Sequence, residues 1–409
     1  MTAKLKYSLV SVLDTDLYKF TMQQAVLHHY PNAIGTYRFT HRDKDVLFSR
    51  VCVDAFREAV ATFSDVMLTP DEQAWLEEAC PYFTKEYISH LRNFRFKPDQ
   101  VKVAFIPISP QDDRGHIAIE AIGPWKDTIL WEVPLMACLS ELHFQDSADW
   151  SYEGQNENAY QKAQTLLQAG CVFSEFGTRR RRSFQTQDIV ISNIIRASKD
   201  TAGQGKFAGT SNAYFAKKFD LTPIGTIAHE WFMGVAALEG YENANSNALK
   251  RWETVYPNHL QITLTDTFST ETFYKEFDKE RAQHWKTLRQ DSGDPFVYAP
   301  RAKKMFEDLG IDIRTKSIIF SDALNSDKVL RLKKQCDELG FSCSFGIGTF
   351  LTNDFKTLSS GGTIQSRALN MVIKLAAIDG KKCVKISDEL TKNTGDKATV
   401  ESVKRIYGI

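Results

Sequence analysis

The chain carries no surplus of charge, no paired-cysteine spacing and no apolar run of membrane length. Its 51 Lys and Arg side chains balance 51 Asp and Glu. This argues against a broad basic footprint for nucleic acid or a membrane surface and leaves room for a local anion site only. The seven cysteines, at 52, 80, 138, 171, 336, 343 and 383, are odd in number and form neither a CxxC pair nor a Cys/His zinc spacing. They read as reduced thiols that mostly pack. The apolar run before Asp14 is too short for a signal peptide, and no uncharged stretch reaches a bilayer's width. A cytoplasmic location is expected, with the nucleus left open. Pro and Gly are sparse, and neither a fixed-period repeat nor a low-complexity tract occurs.

What is present is enough apolar material, 43% of 409 residues, to offset the entropy of ordering. The length exceeds one compact core, so a large barrel-like domain with a smaller module is expected. Residues 1–150 read as α+β: Ala33 to Thr40 alternates, and Val101 to Ile108 with His116 to Ile122 resembles a hairpin. Trp125 to Phe144 is a largely apolar helical run in which Pro134 should start, kink or break the helix. Between 151 and 369 the runs VFSEF, PIGTIA, QITLTD, WKTLR, SIIFSD and SCSFGIG alternate with amphipathic stretches. That is a βα pattern, hence a parallel sheet or barrel whose strand ends share one rim. In 370–409, NMVIKLAAI and KKCVKIS flank Asp379-Gly380, a hairpin signal, and this tail is expected to close the N-terminal module.

Five stretches carry candidate chemistry, each with a plainer alternative. In SEFGTRRRRS (174–183) a strand is expected to end at Gly177 and four arginines to open a helix; Arg suits phosphate or carboxylate, yet a basic run is often a solvated face. Consecutive residues point in different directions, so one or two of the four should reach the rim. LRQDSGDP (288–295) offers carboxylates for sugar hydroxyls or Mg²⁺, or simply a helix cap. SFGIGT (344–349) could cradle phosphate with backbone N–H groups or be an ordinary turn. TIAHEWFMG (226–234) places His229 beyond a short apolar run, as base, nucleophile, phosphate acceptor or structural histidine. LDTDLYKF (13–20) brings Asp16, Tyr18 and Lys19 together, with Tyr18 able to stack on a flat ring or to pack.

Taken together, LDTDLYK, GPWKDTILWEVPL, SEFGTRRRRS, GTSN, GTIAHEW, LTDT, RQDSGDP, FSDALN and FGIGTFLTND resemble the nicotinate phosphoribosyltransferase family in order and type. NMVIKL and ISDE extend the likeness nearly to the C-terminus. Ala368, where the family usually has Pro, is a local departure.

The resemblance implies a type II phosphoribosyltransferase fold, an irregular α/β barrel with an N-terminal α+β domain that the C-terminal segment rejoins. It implies joining nicotinate to phosphoribosyl pyrophosphate, with ATP hydrolysed and Mg²⁺ accompanying the polyphosphates. By motif, His229 is the residue phosphorylated and Asp266 its orienting carboxylate. Arg179 and Arg289 lie near pyrophosphate and nicotinate, Asp291 and Asp322 on ribose hydroxyls, and Gly346, Gly348 and Thr349 around the 5-phosphate. Tyr18 and Phe176 sandwich the pyridine ring, and the family's use of Tyr18 across subunits implies a homodimer with shared sites. The metal ligands are left unassigned. Nicotinamide phosphoribosyltransferase is the nearest alternative, but GTSN lacks the Asp of amide-using relatives. Quinolinate phosphoribosyltransferase lacks the phosphohistidine step. An RNA-binding reading of Arg179 to Arg182 finds no support in the zero net charge or in an aromatic recognition motif.

Ser211 is expected to donate its hydroxyl to the nicotinate carboxylate. Replacing it by Asp sets two negative charges together in a partly dry site. Ser211→Asp should therefore suppress nicotinate use by about tenfold or more, equivalent to about 1.4 kcal/mol. An unchanged ratio of catalytic efficiencies for acid and amide would place discrimination elsewhere.

Overall fold

The computed structural model describes residues 4–389 and 393–409. The first sheet is built from β1 (Ile34–His41), β2 (Phe48–Ser49), β3 (Val101–Pro107) and β4 (Arg114–Pro124), all antiparallel where they pair. The alternation in β3 and β4 turns Ile117, Ile119 and Ala121 inward, the period-two pattern of a sheet with one covered face. The covering helices include Arg50–Ala61, whose N-cap Ser49 accepts the Cys52 N–H. The long apolar run after β4 is split into a turn, Trp125–Thr128, and a helix, Glu132–Ser147. Pro134 falls in the first turn of that helix, where its missing N–H costs nothing.

The second sheet is wholly parallel: β5 (Val172–Glu175), β6 (Lys206–Thr210), β7 (Ile262–Leu264), β8 (Thr287–Gln290), β9 (Ser317–Phe320) and β10 (Ser342–Ile347) lie in the order β6-β5-β10-β9-β8-β7. Helices connect the strands, as parallel pairing requires. Five of the six apolar runs expected to be strands are strands. The sixth, PIGTIA, is irregular. It bridges Thr210 at Pro223, donates Ile224 N–H to the Thr210 carbonyl and bonds the Ile262 carbonyl through Thr226 Oγ1. It thus spans between the two edge strands, β6 and β7, without a continuous ladder. The strand in its place, β6, has Gly209 near its end and a mixed composition that hid it from the apolar pattern.

After a small hairpin of β11 (Phe355–Lys356) and β12 (Gln365–Ser366), the chain returns to the first sheet. There β13 (Met371–Ile378) pairs antiparallel with β1 from Gly35↔Ile378 to His41↔Met371. Asp379 and Gly380 both take positive φ, and β14 (Lys381–Lys382) completes the hairpin. The expected second strand, KKCVKIS, ends there. Cys383 N–H still reaches the Ala376 carbonyl of β13; beyond it the chain leaves the sheet, and Ile386 N–H reaches the Thr267 carbonyl. On this layout we propose a division into 1–150, 151–369 and 370–409. Among the described residues no helix is long and apolar enough to cross a membrane.

Residues 11–17 run as a loop between the two sheets, held by polar contacts rather than a ladder. Asp14 takes both guanidinium ends of Arg181 at 2.7 Å and the Asn212 amide at 2.8 Å. Arg181 is 0% and Asp14 1% exposed. The Leu17 N–H donates to the Ser211 carbonyl, and the Ala213 and Tyr214 N–H groups donate to Thr15 and Leu13. Removing one partner of such a buried pair leaves the other charge without compensation, at a cost of about 3–5 kcal/mol. Arg181→Met should lower the unfolding free energy from denaturant titration by that amount, whereas Arg179→Met, on a half-exposed side chain, should barely move it. Equal stability of the two variants would remove the pair from this role.

Candidate active site

The C-terminal ends of β5, β8, β9 and β10 open into one cavity of about 410 Å³, within the range of small-molecule sites. Its walls include Phe176, Arg179, His229, Arg289, Asp291, Asp322, Gly346, Gly348 and Thr349, so residues from distant motifs share one space. The glycines are needed by close approach. A side chain at Gly346 would meet the Phe176 ring at 3.3 Å, and one at Gly177 would collide with Thr352. The first sheet and the C-terminal segment form the facing wall with Arg42, Val372, Lys374 and Lys385.

His229 opens the helix His229–Glu239 and sits between two carboxylates. Its Nε2 lies 2.8 Å from Asp266 Oδ1, and its Nδ1 lies 3.6 Å from Asp291 Oδ2. An ionised carboxylate only accepts, so the imidazole proton belongs on Nε2 and the lone pair on Nδ1. Asp266 also takes Lys385 Nζ at 2.8 Å and Ser292 Oγ at 2.5 Å. Burial pushes the Asp266 carboxyl up, yet His229 and Lys385 outweigh it and hold it well below the usual range. For His229, burial first and Lys385 second lower the imidazole, against Asp266. Burial likewise opposes ionisation of Asp291, but Arg289 and His229 hold it at about 2. Arg289 Nη2 is 3.0 Å from Asp291, and Ser321 donates to the same oxygen at 2.7 Å.

The four arginines separate by direction. Arg179 and Arg180 line the cavity. Arg181 turns back to Asp14, and Arg182 stacks on Phe144 at 3.6 Å while bonding Ser366. They precede the helix instead of opening it: Thr178–Arg180 is a single 3₁₀ turn, and the helix Phe184–Asp200 begins after N-cap Ser183.

The placement of Ser211 differs from expectation. Ser211 is fully buried and is not on the cavity wall; its hydroxyl donates to Asp16 at 2.7 Å, and Asp16 accepts Tyr18 OH at 3.0 Å through its other oxygen. A change at 211 therefore acts through Asp16 and Tyr18, not by touching a ligand directly. Tyr18 lines the cavity of its own chain. The α1-helical segment that carries it, Leu17–His29, is anchored to the same chain's GTSN loop.

Several wall residues escaped the sequence reading: Lys385, Lys374, Arg42 and Glu132. Lys385 was hidden in a run read as a strand. Glu132 and Glu230 gave a usable signal, each a lone acid in an apolar helical stretch, WEVPLMACL and HEWFMGVAA. Burial, with the Lys385 and Arg42 charges, lowers Lys374 to about 7.

A model of the nicotinate phosphoribosyltransferase (NAPRTase) family matches residues 171–409, and one of that family's N-terminal domain matches residues 13–140. The nicotinate phosphoribosyltransferase of Methanosarcina mazei is 42% identical over 417 residues, covering 97% of this chain and 98% of its own. Among solved structures, a Saccharomyces cerevisiae chain named for the same activity superimposes with a TM-score of 0.95 at 38% identity, both chains covered in full. That from Porphyromonas gingivalis gives 0.89 at 34% identity, over 98% of this chain and 100% of its own.

The electrostatics of His229 yield a direct check. Lys385 lowers the imidazole, so Lys385→Met removes a positive charge and raises it. The protonated form then persists to higher pH. In ¹⁵N spectra, with the His229→Gln variant for assignment, the wild-type His229 signal should titrate below the usual histidine value and that of Lys385→Met above the wild-type midpoint. Coincident midpoints would show that Lys385 does not act on the imidazole.

Proposed function

Because the chain belongs to the nicotinate phosphoribosyltransferase family, we propose that this cavity joins nicotinate to phosphoribosyl pyrophosphate, a step of NAD salvage, with ATP hydrolysed through His229. The observation that carries the ATP step is the pairing of His229 Nε2 with Asp266, which leaves Nδ1 as the lone-pair nitrogen. Nδ1 attacks the γ-phosphorus of ATP, the bridging P–O bond breaks, and ADP leaves. Asp266 holds the tautomer and stabilises the positive charge that develops on the ring. Water later breaks the P–N bond and releases phosphate.

In the transfer itself the bond from ribose C1 to pyrophosphate breaks and a bond from C1 to the pyridine nitrogen forms. The departing pyrophosphate needs cations, and Arg179 and Arg289 are the arginines proposed for it and for the nicotinate carboxylate. The developing oxocarbenium character demands close placement of the ring nitrogen, which Tyr18 and Phe176 provide from the cavity wall. Asp291 and Asp322 accept ribose hydroxyls, and the backbone around Gly346, Gly348 and Thr349 receives the 5-phosphate. Ser211 supports Tyr18 through Asp16.

His229, Asp266 and Asp291 offer ligand atoms within 4.8 Å of one another, but they suit a resident Mg²⁺ poorly. Lys385 and Arg289 already neutralise the two carboxylates, and Mg²⁺ prefers oxygen donors to imidazole. Mg²⁺ is accordingly read as entering with the polyphosphate substrates. A homodimer in the cytoplasm is proposed on the family resemblance alone, since Tyr18 serves its own chain's cavity.

The test is purified protein with labelled nicotinate, phosphoribosyl pyrophosphate and Mg²⁺, with and without ATP. Wild type should form the mononucleotide, faster with ATP. His229→Ala should lose the ATP stimulation and all acid-labile phosphorylation while keeping slow ATP-independent synthesis. Phosphorylation retained in His229→Ala would remove this histidine from the mechanism, and no mononucleotide from wild type would defeat the activity itself.

A further inference from the structure

Lys19 is wholly buried, yet its ammonium lies 2.5 Å from Glu132 and 2.5 Å from Glu230. The second oxygen of Glu132 pairs with Arg179 at 3.1 Å. The second oxygen of Glu230 accepts the Trp125 indole N–H at 3.0 Å and the Tyr37 hydroxyl. A chain of alternating charge, Arg179, Glu132, Lys19 and Glu230, therefore runs along the cavity wall. Its ends are an arginine on the cavity and the residue next to His229.

Stability alone does not account for such a chain, because well-packed apolar residues of similar volume often match or exceed a buried ionic triad. What the triad supplies is fixed relative position. Glu132 stands on the helix Glu132–Ser147, Glu230 on His229–Glu239 and Lys19 on Leu17–His29, directly after Tyr18. One ammonium ties three helices that reach the cavity from separate parts of the chain. A displacement of His229 moves Glu230, and through Lys19 and Glu132 it reaches Arg179.

We infer that Lys19 is a positioning residue that holds Arg179 and His229 in fixed relation through Glu132 and Glu230, and so links events at the histidine to anion binding at the arginine. This rests on the roles proposed above for His229 and Arg179. The charged and titratable groups facing Glu132 are Lys19, Arg179, Arg180, Lys374, Asp16, Tyr18 and Tyr37; those facing Glu230 are Lys19, Tyr37 and Cys383. Without the ammonium, the two carboxylates are left within twice 2.5 Å of each other, and one of them takes up a proton.

The experiment compares wild type, Lys19→Met, the charge-balanced Lys19→Met/Glu230→Gln and the near-isosteric Glu132→Gln, each measured for thermal midpoint, kcat, KM for phosphoribosyl pyrophosphate with and without ATP, and pH profile. Lys19→Met should lose at least about tenfold in kcat/KM and most of the ATP effect on KM, and its profile should gain a further carboxyl ionisation absent from wild type. The double variant should recover the thermal midpoint but not the ATP effect. Glu132→Gln, which leaves the Lys19–Glu230 bridge intact, should weaken the ATP effect with little change in stability, and it carries the test if the Lys19 variants do not fold. Recovery of stability and ATP effect together in the double variant would make Lys19 purely structural. An unchanged ATP effect in Glu132→Gln would likewise overturn the inference. An inactive wild type would instead defeat the reading of the site, so the two failures are distinguishable.

Discussion

The bidentate pairing of Arg181 with Asp14 sets the frame on which the cavity depends. Neither residue touches the cavity, yet their contact brings a loop near the start of the chain against two strand-end loops of the parallel sheet. Around it, Gln187 bonds both Arg181 and Glu175, Glu175 accepts the Gly177 N–H and Thr210 Oγ1, and Asn212 joins Asp14 to Thr178. Almost every member is fully buried, and burial raises the Glu175 carboxyl. In so dry a region hydrogen bonds are strong and an unmet group is costly. The loop bearing Phe176 and Arg179 therefore has few alternative positions, and two of the four arginines are supports for the two that face the cavity.

The parallel sheet was legible because period and composition agree there. VFSEF, SIIFSD and SCSFGIG are short apolar runs ending in polar or glycine residues, and each became a strand with its last residues on the rim. The N-terminal hairpin was equally plain, since β3 and β4 bury alternate residues along one face. PIGTIA misled because apolar composition cannot distinguish a strand from an extended segment that makes only isolated bonds. Its Gly225, at φ +149 and pressed against the Tyr18 backbone, marks a conformation that regular pairing does not need. KKCVKIS misled for the opposite reason. Its lysines look like the solvated face of an edge strand, but Lys385 is 7% exposed and belongs to Asp266.

At the site, the motifs identified single residues and could not supply their relations. The rim positions of Asp291 and Gly346 follow from local pattern, whereas the bond from Asp266 to Lys385 joins residues 119 positions apart. Lys19, Glu132 and Glu230 share a trait that is visible without coordinates: each is a lone charge in a locally apolar stretch, LYKFTM, WEVPLMACL and HEWFMGVAA. Such a charge must find a partner of opposite sign, because burying it alone is prohibitive. Three of them in one chain, two negative and one positive, already hint that they meet. Which element each belongs beside depends on the fold.

The path of β13 has a consequence in time. It lies beside β1 as an inner strand of the first sheet, with Asn370 bonded to Asp43 across 327 residues of sequence. During synthesis β1 and β4 emerge early and must wait for that partner, with one edge of β1 open, until the whole parallel sheet has been made. The same late segment delivers Lys374 and Lys385 to the cavity wall. An unfinished chain thus holds His229 and the arginines without the lysine that pairs Asp266, and the cavity lacks part of its wall until the sheet is sealed. The exposed edge in the interval is the place where a chaperone, or a neighbouring copy, would find a strand to pair with.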